Sequence, residues 1–360
     1  MARAKIHNWI FPIQDTVTDT PDVTATSLLS LGWTPFFEDQ LSSEETSLER
    51  LRIATVHRSR MTAQSAHGPV RVALPPKMKT TDYAVGDWII AEPDTHLIVR
   101  RLDRHALLQR KTEGARAPQL IAANVDTLFI VTSCNDDFNP ARLERYLALA
   151  NEAETNPVIV LTKADKTDDT APFVARAAQL QRGLDVVYLN AKTPDAADTL
   201  APWCHAGQTV ALVGSSGVGK STLLNTLAAK EGEDAQLTGG IREDDAKGRH
   251  TTTSRSLHGI KGGGWVIDTP GIRTLHLSDV SDGLDILFAE ITERAPNCRF
   301  RDCTHAHEPG CAIQAAVADG SIDPSRLERW RKLQEENDAN TPDITGPKGN
   351  YSPKGRGKKR

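Results

Sequence analysis

Nowhere does this 360-residue chain carry an apolar run approaching the ~18–20 residues of a membrane-spanning helix, which excludes a helical membrane span. The opening stretch from Met1 to Trp9 lacks the long apolar core of a signal peptide, so the expected location is cytoplasmic. Cysteine is scarce and odd in number, five in all, with Cys134 and Cys204 standing apart as ordinary small residues. The other three crowd into one short segment, and in a reducing compartment such crowding favours a metal over a disulfide. No internal repeat is present. The net charge of −4 argues against indiscriminate polyanion binding by the whole molecule, although the charge is unevenly spread.

What is there reads as soluble and globular, 39% hydrophobic and 25% charged, with length for two or three domains. Residues 1–45 form an N-terminal extension with one apolar knot from Leu31 to Phe37. Short β-type runs follow at Arg52–Val56, Val70–Leu74, Asp87–Ala91 and His96–Val99, separated by Gly, Pro and Asp, which predicts a small barrel. From about Ile121 strands alternate with helices. Buried parallel strands are expected at 127–132, 157–161, 186–189, 209–213 and 265–267, and intervening helices at 142–154 and 221–229. This is α/β architecture with helices on both faces of the sheet. A helical stretch is expected from Ser325 to Glu336. Beyond it, residues 337–360 are rich in Pro, Gly and charge and are expected to be disordered.

The most informative pattern is an order of motifs. Gly214, Ser215, Ser216, Gly217, Val218, Gly219, Lys220 and Ser221 fit GxxxxGK[ST], after a strand and before a helix that opens through Thr222. Backbone N–H groups of such a loop face phosphates, Lys220 bridges the β- and γ-phosphates, and the Ser221 hydroxyl holds Mg²⁺. Asp268 and Gly271 complete a DxxG motif, the first reaching Mg²⁺ through water and the second sensing the γ-phosphate. The candidate guanine reader, Thr162, Lys163, Ala164 and Asp165, lies upstream of both, where ordinary GTPases place it downstream. Asp165 can accept from guanine N1–H and the exocyclic amine, and adenine offers no such pair. Asn190, Ala191 and Lys192 resemble the backbone-donating element that backs the base. A pocket needs its loops close in space, not in a given chain order, so a circularly permuted G domain keeps the chemistry. Thr162 replaces the usual Asn, which is expected to loosen the loop. Between P-loop and DxxG, the segment from Gly248 to Thr253 sits where a switch belongs, and Thr251 or Thr252 would complete the Mg²⁺ shell. Ile272 stands where many small GTPases carry a water-orienting Gln, so intrinsic hydrolysis should be slow, and His250 is the candidate substitute.

Cys298, Cys303, His305 and Cys311 supply three thiolates and one imidazole within fourteen residues. A closed Cys3His shell suits one structural Zn²⁺ and leaves no open position for catalysis. His307 is the rival ligand. Arg58, Arg60, Arg71 and the run from Arg100 to Lys111 give the expected barrel a basic face for RNA, and six cations without an acid close the chain, which suits phosphate backbone contact. A solvated basic face and a solubility tail are the competing readings.

The motifs above, in this order, with the segments 121–126 and 139–146, resemble the ribosome small subunit-dependent GTPase A family (RsgA) over roughly residues 30 to 335. The resemblance implies an OB-type barrel at 46–116, a circularly permuted P-loop GTPase domain at 117–280 and a zinc-binding helical subdomain at 281–336. It also implies GTP/GDP with Mg²⁺ as cofactors, and late maturation of the 30S ribosomal subunit, with its 16S rRNA as partner. The subunit would stimulate hydrolysis, and hydrolysis would drive release of a monomeric protein. In the family the switch histidine is the suspected water-positioning group, which maps to His250. The alternative is an RNA-binding zinc protein whose G domain only senses nucleotide, with Ile272 as its best support. A large-subunit GTPase and an ATPase fit less well.

Overall fold

The computed structural model describes residues 27–110, 118–228, 255–269 and 277–341. Among them the strands are β1 (Glu49–Val56), β2 (Met61–Ser65), β3 (Gly68–Val72), β4 (Trp88–Ala91), β5 (Ile98–Arg101), β6 (Leu107–Arg110) and β7 (Gln119–Ala123). There follow β8 (Thr127–Ser133), β9 (Asn156–Thr162), β10 (Asp185–Tyr188), β11 (Thr209–Val213), β12 (Ser256–Gly259) and β13 (Trp265–Asp268).

The strands β10, β9, β8, β11 and β13 run parallel in that spatial order. Every residue of β8 and β11 is buried, as expected of strands covered on both faces. The helix Pro140–Glu152 covers one of those faces. Asn139 Oδ1 accepts the Arg142 N–H at 3.0 Å, and Pro140 occupies the first helical position. Its buried Leu143, Tyr146, Leu147 and Ala150 recur at helical spacing. The helix Ser281–Leu287 lies against it so closely that a Cβ on Gly283 would sit 2.2 Å from the Ala148 carbonyl oxygen.

The N-terminal strands form a ring. β1 pairs with β2, β2 with β3, and β4 with both β5 and β1, all antiparallel. An isolated bridge from Ala73 to Leu97 brings the end of β3 to the start of β5 and closes the circuit. The sequence treats this unit and the G domain as successive domains, but β1 also pairs with β12, antiparallel, at Thr55 and Ser256. One eleven-stranded sheet therefore runs through both.

Three expectations need correction. Residues 27–41 are not an appended extension: Leu31, Trp33 and Phe37 are buried, and the Trp33 ring meets Trp88 edge-on at 4.9 Å. The last helix does not stop at Glu336 but runs Pro324–Asn340, and Asn337 is buried with its Oδ1 accepting the Val280 N–H at 3.1 Å. The basic run from Arg100 is half-exposed, and much of it is engaged in contacts within the protein. Arg100 grips Glu45 at 2.5 and 2.8 Å, Arg104 grips Asp87 at 2.6 and 2.7 Å, and Arg110 reaches Gln119 at 2.9 Å.

The seam between ring and sheet is apolar, with Trp88, Ile90, Ala211, Leu257 and Ile267 in one buried cluster. It also holds a charge. Arg52 of β1 is 1% exposed and donates to the Leu31 carbonyl at 2.6 Å and to Thr209 Oγ1 of β11 at 2.7 Å. Burial pulls its pKa down to about 10, opposed by the Asp126 carboxylate.

Candidate nucleotide site and metal centre

Parallel strands end in loops at one edge, and among the described residues the candidate nucleotide motifs occupy that edge. The phosphate-type loop leaves β11, Asp268 ends β13, Thr162 ends β9, and the segment from Asn190 to Lys192 follows β10. Such carboxyl edges are where open α/β sheets bind ligands. The loop demands glycine. Gly214 has φ +141°, and a Cβ there would meet the Val131 carbonyl oxygen at 2.1 Å. Gly219 has φ +104° and immediately precedes the helix Lys220–Leu227, of which Ser221 and Thr222 form the first turn. Lys220 Nζ donates to the Gly214 carbonyl at 2.8 Å and to that of Ser215, which places the ammonium inside the curl of the loop. Ser216 and Gly217 stand exposed at its tip, while Val218 is buried.

Thr162 behaves differently from the expectation of a loosened loop. Its side chain is buried, and its hydroxyl lies 2.5 Å from the Val218 carbonyl oxygen and 3.0 Å from that of Thr132. One hydroxyl proton serves one acceptor at a time, yet either bond ties the base-reading segment to its neighbours. Lys163 then takes the left-handed conformation at φ +56°, and Ala164–Lys166 form one 3-10 turn that carries Asp165 outward. On the far side, Asn190 Oδ1 accepts the Lys192 N–H at 3.1 Å, and the buried Ala191 offers its carbonyl to Thr226 at 2.7 Å. Thr226 belongs to the helix that starts at Lys220, so the segments at Thr162 and Ala191 are both fastened to the loop and helix that follow β11. Sequence reasoning missed Thr226, which has no motif to mark it. His250, Thr251, Thr252, Gly271 and Ile272 lie outside the described residues, as does the basic tail.

The second centre is the cysteine cluster. The ligand atoms of Cys298, Cys303, His305 and Cys311 all lie within 4.8 Å of one another. Cys298 Sγ is 3.9 Å from Cys311 Sγ, and His305 Nδ1 is 3.5 Å from each. A tetrahedral zinc with Zn–S bonds of about 2.3 Å has edges of about 3.8 Å, so this donor set fits that ion in chemistry and spacing. His307 is exposed and outside the group. Burial raises the Cys298 thiol, but the Ala312 and Ile313 amides and the neighbouring thiols outweigh it and the net direction is down, toward thiolate. His305 holds φ +59°, and its carbonyl accepts from Gln314 at 2.5 Å and from Arg331. Arg331 lies on the helix Pro324–Asn340, which also sends Arg326 to Glu144 at 2.7 Å, to Glu290 at 2.7 Å, and over the Phe288 ring at 4.0 Å. Glu144 belongs to the helix Pro140–Glu152, so one long helix braces the cysteine loops against the G domain.

Five cations of the ring, Arg58, Arg60, Arg71, Lys77 and Lys79, are exposed and enter no ion pair among the described residues. Thr80 Oγ1 donates to the Arg58 carbonyl at 3.1 Å, which brings the turn carrying Lys79 beside the turn carrying Arg58 and Arg60. Among the described residues no helix is long and apolar enough to cross a membrane.

Comparison with known proteins agrees with this arrangement. Residues 101–278 match the family described as RsgA GTPase. A small ribosomal subunit biogenesis GTPase RsgA of Mesorhizobium japonicum is 61% identical over 349 residues, 97% of this chain and 100% of that one. A second such protein, from Vibrio vulnificus, is 49% identical over 86% of this chain and 88% of its own. Among solved structures, YjeQ from Thermotoga maritima superposes with a TM-score of 0.60 at 27% identity, covering 80% of this chain and 98% of that one. YloQ, described as a circularly permuted GTPase, gives 0.58 at 24% identity, a likeness of fold alone.

Proposed function

The chain belongs to the RsgA GTPase family and is a GTP hydrolase, and on that premise we propose that it acts in late maturation of the small ribosomal subunit. The near full-length match to a protein named for small-subunit biogenesis carries this reading. GTP-bound protein would hold the immature subunit, the subunit would stimulate hydrolysis, and hydrolysis would release it.

Within the site we assign Lys220 to the β- and γ-phosphates and Asp165 to the guanine edge, with Lys163 along the base plane. Ser221 and Asp268 would hold Mg²⁺, which when bound neutralises charge on the transferring phosphoryl group. His250 remains our candidate for positioning water, Thr251 or Thr252 for completing the Mg²⁺ shell, and Gly271 for sensing the γ-phosphate. The ring of β1, β2, β3, β5 and β4 is an OB-type barrel in this reading, and Arg58, Arg60, Arg71, Lys77 and Lys79 are its phosphate contacts. Cys298, Cys303, His305 and Cys311 would hold one structural Zn²⁺, which ties together a subdomain with little core of its own.

The test is GTP hydrolysis by the purified protein alone, with small subunits and with large subunits, against ATP as control. Stimulation by small subunits only, with GTP only, is expected. Weak hydrolysis unchanged by either subunit, together with RNA binding, would instead favour a nucleotide-sensing RNA-binding module.

A further inference from the structure

Backbone register joins the ring's basic strand to the candidate Mg²⁺ carboxylate in one row. Arg71 of β3 faces Thr62 of β2, and Thr62 faces Thr55 of β1. Thr55 faces Ser256 of β12, and Ser256 faces Asp268 of β13. Five residues on five adjacent strands thus span roughly 19 Å, at about 4.8 Å per strand. Arg71 is exposed and cationic at one end of the row, and Asp268 is buried at the other. The Thr55 and Thr62 hydroxyls add a bond of 2.7 Å within the row.

The row crosses at a special point of β1. Residues Glu49 to Arg52 pair with β4, and the pairing with β12 begins only at Thr55. Between Ile53 and Thr55 the register with β2 shifts, leaving Ala54 as an extra residue. Such a bulge allows a strand to change its pairing in a discrete step. Arg52, three residues before Thr55, fixes the same strand to the first residue of β11, which runs directly into the phosphate-type loop. β1 therefore grips both β11 and β12.

We propose that the Thr55–Ser256 junction couples occupancy of the ring's basic face to the nucleotide state at Asp268, with Thr55 as a positioning residue. The proposal rests on reading that face as the subunit contact, and it adds the route of regulation. Coupling between binding sites is reciprocal. Whatever factor a triphosphate at Asp268 puts on affinity at the basic face, occupation of that face puts on affinity for the triphosphate.

The experiment compares affinity of the full-length, zinc-loaded protein for purified small subunits in GDP and in a non-hydrolysable GTP analogue. Wild type is expected to show a ratio of about tenfold, within the usual range of coupling. Thr55→Pro removes a backbone N–H of β1 within the row and should bring the ratio to within about twofold. Thr55→Val keeps the β-branched strand shape and should retain the ratio. Amide exchange of β1 and β2 in the free protein is read in parallel, and it should depend on the nucleotide in wild type and in Thr55→Val. If Thr55→Pro does not fold, the doublet Thr55→Gly with Ser256→Gly replaces it. A ratio that survives the disrupted junction overturns the proposal. Wild-type binding that ignores the nucleotide overturns it while leaving the partner assignment standing. If wild type does not bind subunits at all, the partner assignment fails, and the exchange data alone decide. Nucleotide-independent exchange of β1 and β2 then overturns the coupling.

Discussion

A single hydroxyl, that of Thr162, ties the segment after β9 to the phosphate-type loop. Thr162→Val removes the hydroxyl that donates to the Val218 or the Thr132 carbonyl. The loss should be about 1–2 kcal/mol. GDP affinity, measured by fluorescence titration, is therefore expected to fall roughly tenfold, while Thr162→Ser stays near wild type. Ser221→Ala is expected to abolish Mg²⁺-dependent hydrolysis and leave zinc content unchanged, read by phosphate release and metal analysis. Loss of zinc in that variant would contradict the separation of the two centres. A third residue sets an acid limit. Arg100 and then the Ser42 amide draw the Glu45 pKa from 4.5 to about 2. The folded value lies below the ordinary one, so this clamp contributes fully above about pH 4.5 and is lost as pH falls toward 2. In Glu45→Gln the slope of stability against pH across that window should flatten, which denaturant titrations between pH 2 and 6 will show.

Among the elements, the helix Pro324–Asn340 holds the most distant parts together. Arg326→Met would leave the fully buried Glu144 with Arg329 alone at 2.9 Å. Breaking a buried ion pair from one side typically costs about 3–5 kcal/mol, so the denaturation midpoint should drop sharply. Adding Glu144→Gln should recover part of the loss. Stripping the metal with a chelator should lower the melting temperature of the whole chain, because Arg331 connects the His305 loop to the same helix. How far the sequence foretold these elements depended on how each strand is buried. The runs at Thr127–Thr132 and Pro157–Leu161 were legible because both faces are covered and the residues are continuously apolar. β2 escaped notice because Met61-Thr-Ala-Gln-Ser65 alternates weakly and contains no long β-branched run. β12 escaped because Ser256-Leu-His-Gly259 has one apolar residue, and its pairing with β1 is a contact across 201 positions that no local pattern encodes. The motif residues of the candidate site were legible for a different reason. Gly214 is demanded by positive φ and close backbone approach and Gly219 by positive φ, and such constraints leave a local signature. Thr226 and Arg326 act through tertiary contacts and leave none.

For the whole molecule, charge placement separates binding from chemistry. Arg58→Glu with Arg60→Glu should weaken small-subunit binding and shallow its salt dependence by the number of phosphates lost. Basal GTP hydrolysis should not change, since both side chains are exposed at the far turn of β1. Composition cannot reveal that Glu45 and Asp87 already pair with Arg100 and Arg104, two of the cations in the run from Arg100 to Lys111. The eleven-stranded continuity also bears on how this protein can be cut. A fragment beginning after Arg101 keeps every motif of the nucleotide edge, yet it strips β1 from β12 and bares a sheet margin flanked by Leu257, Trp265 and Ile267. Unpaired margins of that kind recruit strands from other copies. Such a fragment should self-associate in light scattering even where it still binds nucleotide, and the ring is in that sense a stopper that keeps the sheet from growing.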